Sequence, residues 1–213
     1  MDLNFFDLDK TLYTYDFRNR LPELARLTGV SQYRLAKTWW AAGHERRAEA
    51  GEWPTSDEYL DAFAVVTGGR RLALAEWADA RALAMTRIDG SVAALRRAAE
   101  LGTVSLLSNN PAPLRDALPR LAPEVAEILG DHLLVSYQVG ARKPSPELFE
   151  RALARYGAAA ADAFLADDTL ANVVGARAAG MTAHWFEYVD GVPQTDALST
   201  AIEAFASRPR RAR

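Results

Sequence analysis

Short apolar runs alternate with stretches of helical periodicity over most of this chain, and one long helical block interrupts them near the start. Leu3–Leu8 is an apolar run ending in acids, the pattern of a strand buried on both faces. From about residue 16 to 87 the spacing predicts helices and no strand, with Leu35/Trp39 and Ala36/Trp40 paired at i,i+4. Gly51–Pro54 breaks that rhythm, and Thr55 with Glu58 forms a capping box that starts a new helix at Ser56. Helical character then runs through Trp77 and Met85 and stops at Asp89–Gly90.

Beyond Gly90 the period changes. Ser91 is expected to cap a helix closed by Gly102, followed by a strand at Thr103–Leu107 and a third apolar run at Leu133–Ser136. Ser145 caps a helix with Pro146 at its first position and Gly157 just past its end. A strand at Ala163–Ala166, a helix at Asn172–Ala179 ending at Gly180, and a strand at Thr182–Phe186 complete the pattern. Strands alternating with helices predict an α/β fold, a parallel sheet covered by helices on both faces. The first strand then belongs to a sheet whose other strands lie about 100 residues away, with an all-helical insert between.

Parallel sheets collect ligands at the carboxyl ends of their strands. There the sequence puts Asp7, Asp9 and Thr11 after the first strand, Ser108 and Asn109 after the second, Lys143 after the third, and Asp167 and Asp168 at the end of the fourth. Such a set suits phosphoryl transfer. Hard carboxylate oxygens are what Mg²⁺ prefers, one carboxylate can attack phosphorus, and a second can manage the proton of the leaving oxygen. Ser108, Asn109 and Lys143 would neutralise the remaining phosphate oxygens.

The motifs FFDLDKTL at 5–12, LLSNN at 106–110, RKP at 142–144 and LADDTLANVVGARAAGM at 165–181 stand in order along the chain. Together they resemble the haloacid dehalogenase-like hydrolase superfamily, subfamily I, most closely the branch of sugar-phosphate phosphatases and the N-terminal phosphatase domain of epoxide hydrolases. The resemblance implies a Rossmann-like core at 1–15 and 88–207, a helical cap at 16–87 and a basic, disordered tail at 208–213. It implies Asp7 as nucleophile and metal ligand, Asp9 as acid/base with its main-chain carbonyl on the metal, Ser108 and Asn109 on phosphate, and Lys143 beside Asp7. Asp168 would be a further Mg²⁺ ligand, with Thr11, Asp167 and Asn172 supporting from behind. Lys10 stands where Gly or Asn is commoner in the family, and Asp9 is the acid that true haloacid dehalogenases lack. In the cap, Glu52 and Trp53 near the Gly51 break are expected to face substrate, while Trp39 and Trp40 are expected in the core. The implied activity is phosphatase action on a small phosphorylated metabolite, a sugar phosphate before a nucleoside monophosphate. A phosphomutase of β-phosphoglucomutase type and a non-catalytic binding module are the alternatives.

Composition narrows the picture further. Of 213 residues none is cysteine, which excludes a disulfide scaffold, a thiolate zinc site and a cysteine nucleophile. The formal charge is -3, and four of the arginines (Arg208, Arg210, Arg211 and Arg213) crowd the C-terminus, so the remaining chain is more acidic still. No nucleic-acid partner is therefore expected. Three histidines without clustering predict no histidine metal site. The absence of a signal peptide and of a long apolar run predicts no membrane partner and a cytoplasmic monomer or homodimer.

Overall fold

The computed structural model describes residues 2–209. In chain order the elements are β1 (Leu3–Phe6), β2 (Tyr13–Tyr15), α1 (Phe17–Thr28), α2 (Gln32–Leu35) running into a π-helical turn at Ala36–Ala41, α3 (His44–Glu49), α4 (Ser56–Thr67) and α5 (Leu74–Ala82). There follow β3 (Met85–Arg87), α6 (Asp89–Leu101), β4 (Thr103–Leu106), α7 (Ala112–Leu121), α8 (Pro123–Leu129), α9 (Ser136–Val139) and α10 (Pro146–Tyr156). A 3₁₀ turn at Ala160–Asp162 leads to β5 (Ala163–Asp167), α11 (Leu170–Ala178), β6 (Thr182–Trp185), a hairpin of β7 (Tyr188–Val189) and β8 (Val192–Pro193), and α12 (Thr195–Ala206).

The main sheet has four parallel strands in the order β4-β1-β5-β6. All four residues of β1 are buried because the pleat sends them alternately to two covered faces. Phe6, Val104, Leu106 and Phe164 join one core cluster with residues of α6, α7, α8 and α12, including Leu95, Leu118, Val125 and Ile202. Leu3, Phe5 and Leu165 join the other, with Leu148, Phe149 and Ala152 of α10 and Val173 of α11.

The helical insert has its own aromatic centre. Trp39 is fully buried, stacked on Trp53 at 5.3 Å between ring centroids and edge-on to Tyr59 and Phe63 at 5.2 and 5.0 Å. The predicted capping box forms: Thr55 Oγ1 accepts from the Glu58 N–H and the Glu58 carboxylate accepts from the Thr55 N–H, opening α4. Pro146 and Gly157 bound α10, with Gly157 at φ 60°.

Several expectations need correction. Met85–Arg87 is a strand, paired antiparallel with Tyr13–Tyr15, where the sequence reads as helix; three residues gain strand geometry from a partner some seventy positions away. Helix α6 starts at Asp89, so Ser91 is a fully buried interior residue and not its cap. The run at Leu133–Ser136 contributes one bridge, Val135 with Ser108, because the chain turns into α9 at Ser136. The hairpin and α12 follow the last predicted strand. Arg208 lies within 3.1 Å of Asp2 and 3.5 Å of Asp162, tying down the first residue of the stretch read as a tail. Arg210, Arg211 and Arg213 lie outside the described residues. No described helix is long and apolar enough to cross a membrane.

Candidate active site

The loop after β1 owes its shape to Leu8. Its side chain and that of Leu12 are fully buried, while its carbonyl accepts the N–H groups of Thr11, Leu12 and Tyr13 at 3.4, 2.9 and 3.0 Å. The polypeptide therefore coils around one anchored residue and turns Asp7 and Asp9 toward the carboxyl edge of the sheet. Asp7 still belongs to the ladder, donating its N–H to Ala166 O at 2.9 Å. Lys10 takes φ 60°, the left-handed region that glycine and asparagine enter most easily. Thr11 is buried, and its hydroxyl has no hydrogen-bond partner among the described residues.

Asp7, Asp9, Ser108, Asn109, Lys143, Asp168 and Asn172 line one cleft of about 240 Å³, joined by Lys10, Arg142 and Thr169. At its floor the Lys143 ammonium, 1% exposed, stands 3.0 Å from Asp7 Oδ1 and bonds Asp167 Oδ2. Burial works against that ammonium, but the charges of Asp167 and Asp7 outweigh it and hold its pKa above the usual lysine value. Burial pushes Asp7 up to about 7 against the pull of Lys143, with Asp167 and Asp9 adding to the rise. Asp168 is raised too, first by burial and then by Asp167.

One oxygen each of Asp7, Asp167 and Asp168 lies within 4.8 Å of the others. Three carboxylates so close repel one another, and a hard divalent cation is the partner their chemistry fits. Asp167 is wholly buried and also accepts from Asn172 Nδ2 at 2.9 and 3.1 Å and from the Thr169 N–H at 2.9 Å.

The two residues of the LSNN motif divide their work in a way the sequence does not reveal. Ser108 is buried and accepts from Asn110 Nδ2 at 2.9 Å. Asn109 lines the cleft but uses its amide to grip the Lys143 main chain, Nδ2 to O at 2.9 Å and Oδ1 from N–H at 2.8 Å. Asn110, the last residue of the motif, donates its Nδ2 to Asp9 Oδ2 at 3.2 Å.

The insert contributes different residues from those expected. Glu52 is ion-paired with Arg47 and Trp53 stacks on Trp39, and neither is among the described residues lining the two cavities at the sheet edge. Arg81 of α5 reaches the site instead: it is 2% exposed, lies over the Tyr15 ring at 4.8 Å, and its Nη2 donates to both oxygens of Asp9 at 2.7 Å. From α3, Glu49 pairs with Arg142 at 2.7 Å and its carbonyl accepts from Ser136 Oγ at 2.7 Å. Burial, then the charge of Glu45, raises Glu49 to about 7. Periodicity carries no trace of Arg81 or Glu49 as site residues, since charged side chains at these helical positions read as solvated.

A family model for haloacid dehalogenase-like hydrolases matches residues 1–180. The chain belongs to this family. Across 199 residues it is 26% identical to a glyceraldehyde 3-phosphate phosphatase of Pyrococcus abyssi, covering 86% of this chain and 80% of that protein. Over 100 residues it is 34% identical to a sesquiterpene phosphatase of Aspergillus oryzae, covering 47% of this chain and 46% of that one. Its fold is similar to that of a haloacid dehalogenase family enzyme of Bacteroides thetaiotaomicron solved with magnesium and inorganic phosphate, with TM-score 0.70, 18% identity, and 88% and 94% of the two chains covered. It is also similar to a 2-haloacid dehalogenase of Pseudomonas syringae, with TM-score 0.63, 22% identity, and 97% and 98% covered.

Proposed function

We propose that this family member is a Mg²⁺-dependent phosphomonoesterase acting through an aspartyl-phosphate. The observation that carries the reading is the grouping, in one cleft, of the Asp7–Lys143 pair, a second acid at Asp9, and Asp168, with Asp167 buried behind as the third member of the Asp7/Asp167/Asp168 cluster. Asp7 and Asp168, with the main-chain carbonyl of Asp9, would hold the metal, and Asp167 and Asn172 would brace them. When bound, Mg²⁺ neutralises the phosphate oxygens that an anionic nucleophile must approach.

In the first step an Asp7 oxygen forms a bond to phosphorus as the ester P–O bond breaks, and Asp9 gives its proton to the departing oxygen. In the second step Asp9 takes a proton from water, whose oxygen attacks phosphorus and releases Asp7 and inorganic phosphate. Lys143 offsets charge on the transferring group, Ser108 holds a phosphate oxygen, and Asn109 fixes the Lys143 loop. The insert acts as a cap, its Arg81 and Glu49 meeting the core around Asp9 and Arg142 and excluding water above the cleft. A small phosphorylated metabolite fits this site, and the acid at Asp9 argues for an oxygen leaving group in place of a halide.

The test is phosphate release from sugar phosphates, nucleoside monophosphates and p-nitrophenyl phosphate, with Mg²⁺ and with EDTA, by wild type and Asp7→Asn. Release that needs Mg²⁺ and disappears in the variant is expected. An isomerised sugar phosphate without free phosphate would convert the reading to a mutase, and no reaction by folded, Mg²⁺-loaded protein would refute it.

A further inference from the structure

The segment leaving β6 touches the backbone on both sides of the acid cluster. Trp185 donates its Nε1–H to the main-chain carbonyl of Asp168 at 2.9 Å, and Phe186 donates its N–H to that of Asp167 at 2.9 Å. Tyr188, the first residue of β7, donates its hydroxyl to the main-chain carbonyl of Lys10 at 3.0 Å. Residues 185–188 thereby tie the loop that carries Asp167 and Asp168 to the loop that carries Asp7 and Asp9.

The tie is stiff for local reasons. β7 and β8 pair Tyr188 with Pro193 and Val189 with Val192 across a two-residue loop, Asp190–Gly191, with φ 50° and 78°. Asp-Gly is a sequence such a loop favours, because both its residues must enter the left-handed region. A hairpin this short does not stand alone. Phe186, 1% exposed, anchors its base and meets the Tyr188 ring edge-on at 5.7 Å between centroids, and the Gln194 N–H closes on the Glu187 carbonyl at 3.0 Å.

What the tie fixes is backbone beside the metal ligands. Lys10 is held at both ends, its N–H donating to Tyr13 O and its carbonyl accepting from Tyr188. The Lys10 N–H shares a peptide plane with the Asp9 carbonyl, so the direction of that carbonyl is set as well. The clustered oxygens of Asp7, Asp167 and Asp168 repel one another, which drives the two loops apart until a cation binds, and a tie between the loops opposes this. Trp185 and Tyr188 are 38% and 37% exposed, so water can replace either bond and folding alone gives little reason for them.

We propose that Trp185 and Tyr188 are positioning residues for the metal site, holding the Asp9 carbonyl and the Asp168 carboxylate at a preset separation before the cation arrives. The proposal rests on the Mg²⁺ site of the phosphatase reading and assigns what maintains it. Neither side chain meets a reacting atom; each acts through the main chain of a neighbouring loop. Groups that orient metal ligands from behind typically account for roughly 10–100-fold of metal affinity.

Calorimetric titration with Mg²⁺ gives Kd for wild type, Tyr188→Phe, Trp185→Phe and the double variant, with the Mg²⁺ dependence of p-nitrophenyl phosphate hydrolysis measured alongside. Each single variant should bind Mg²⁺ at least roughly tenfold more weakly, and the half-saturating Mg²⁺ for hydrolysis should rise in step. A tie fails when either end is released, so the double variant should lose far less than the product of the two single losses. Binding stoichiometry reports the folded fraction, so partial unfolding does not pass for lost affinity. An unchanged Kd in either single variant, or losses that multiply in the double variant, overturns the inference alone. Mg²⁺ binding by a wild type that hydrolyses no phosphate ester overturns the phosphatase reading, and the same titrations still decide the positioning role. A wild type that binds no Mg²⁺ overturns both.

Discussion

Replacing Lys143 by methionine isolates the electrostatic balance at the floor of the cleft. The two chains are similar in length, so the chief loss is the ammonium 3.0 Å from Asp7 and bonded to Asp167, in surroundings where lysine and Asp167 are almost wholly buried. Removing one partner of a buried ion pair costs about 3–5 kcal/mol, because the remaining charge keeps its desolvation penalty. Here two carboxylates are left, and Asp7 already stands at about 7 with the lysine present. A carboxyl whose folded pKa is raised binds its proton more tightly in the folded state. Its stability is therefore full below the unfolded pKa and is lost as pH rises toward the folded one. The variant should accordingly be penalised in full near pH 8 and much less near pH 5.5, where Asp7 can take a proton. For a chain of this size each kcal/mol moves Tm by about 2–4 °C, so the fall in EDTA near pH 8 should be about 6–20 °C. Mg²⁺ at about 100 times its Kd would return about 2.7 kcal/mol by binding only the folded state. Thermal unfolding with EDTA and with Mg²⁺ at both pH values measures all of this. A fall of less than about 2 °C in EDTA near pH 8, or a larger fall near pH 5.5, would refute the reasoning.

Asp7→Asn removes the same raised carboxyl, so in EDTA its Tm relative to wild type should climb as pH rises from about 4 to about 7; a flat difference across that range counts against a buried, raised Asp7. Lys10→Gly should raise stability by about 0–1.6 kcal/mol, since relief of a left-handed penalty of about 1–2 kcal/mol offsets or exceeds the added chain entropy of about 0.4–1 kcal/mol; urea unfolding showing a loss would contradict it. Gly175→Ala places a Cβ 2.8 Å from the Pro144 carbonyl and 3.1 Å from Phe149 Cε2, so the Lys143 loop must shift. That crowding should cost about 1–3 kcal/mol and lower kcat, and unchanged stability and turnover would show that the loop yields freely.

What the sequence by itself determined is the part governed by short-range rules. Five apolar runs separated by helices dictate a parallel sheet, and four of them become β1, β4, β5 and β6 within a residue or two of expectation. Capping at Thr55 and the Pro146/Gly157 pair mark helix ends because each acts within one turn. The same locality made the cleft legible: Asp7, Ser108 and Asp168 follow strand ends directly, and strands of one parallel sheet present those ends together. Tertiary structure decided what depends on partners distant in sequence. Met85–Arg87 became a strand because Tyr13–Tyr15 lay beside it, and Leu133–Ser136 did not because only Val135 met Ser108 before the chain turned. It also placed Arg20, Arg81 and Glu49 around the cavity beside Asp9, while Glu52 pairs with Arg47 and Trp53 stacks on Trp39. A helix's period tells which side chains share a face, but the neighbour that face meets is set by packing across the whole fold.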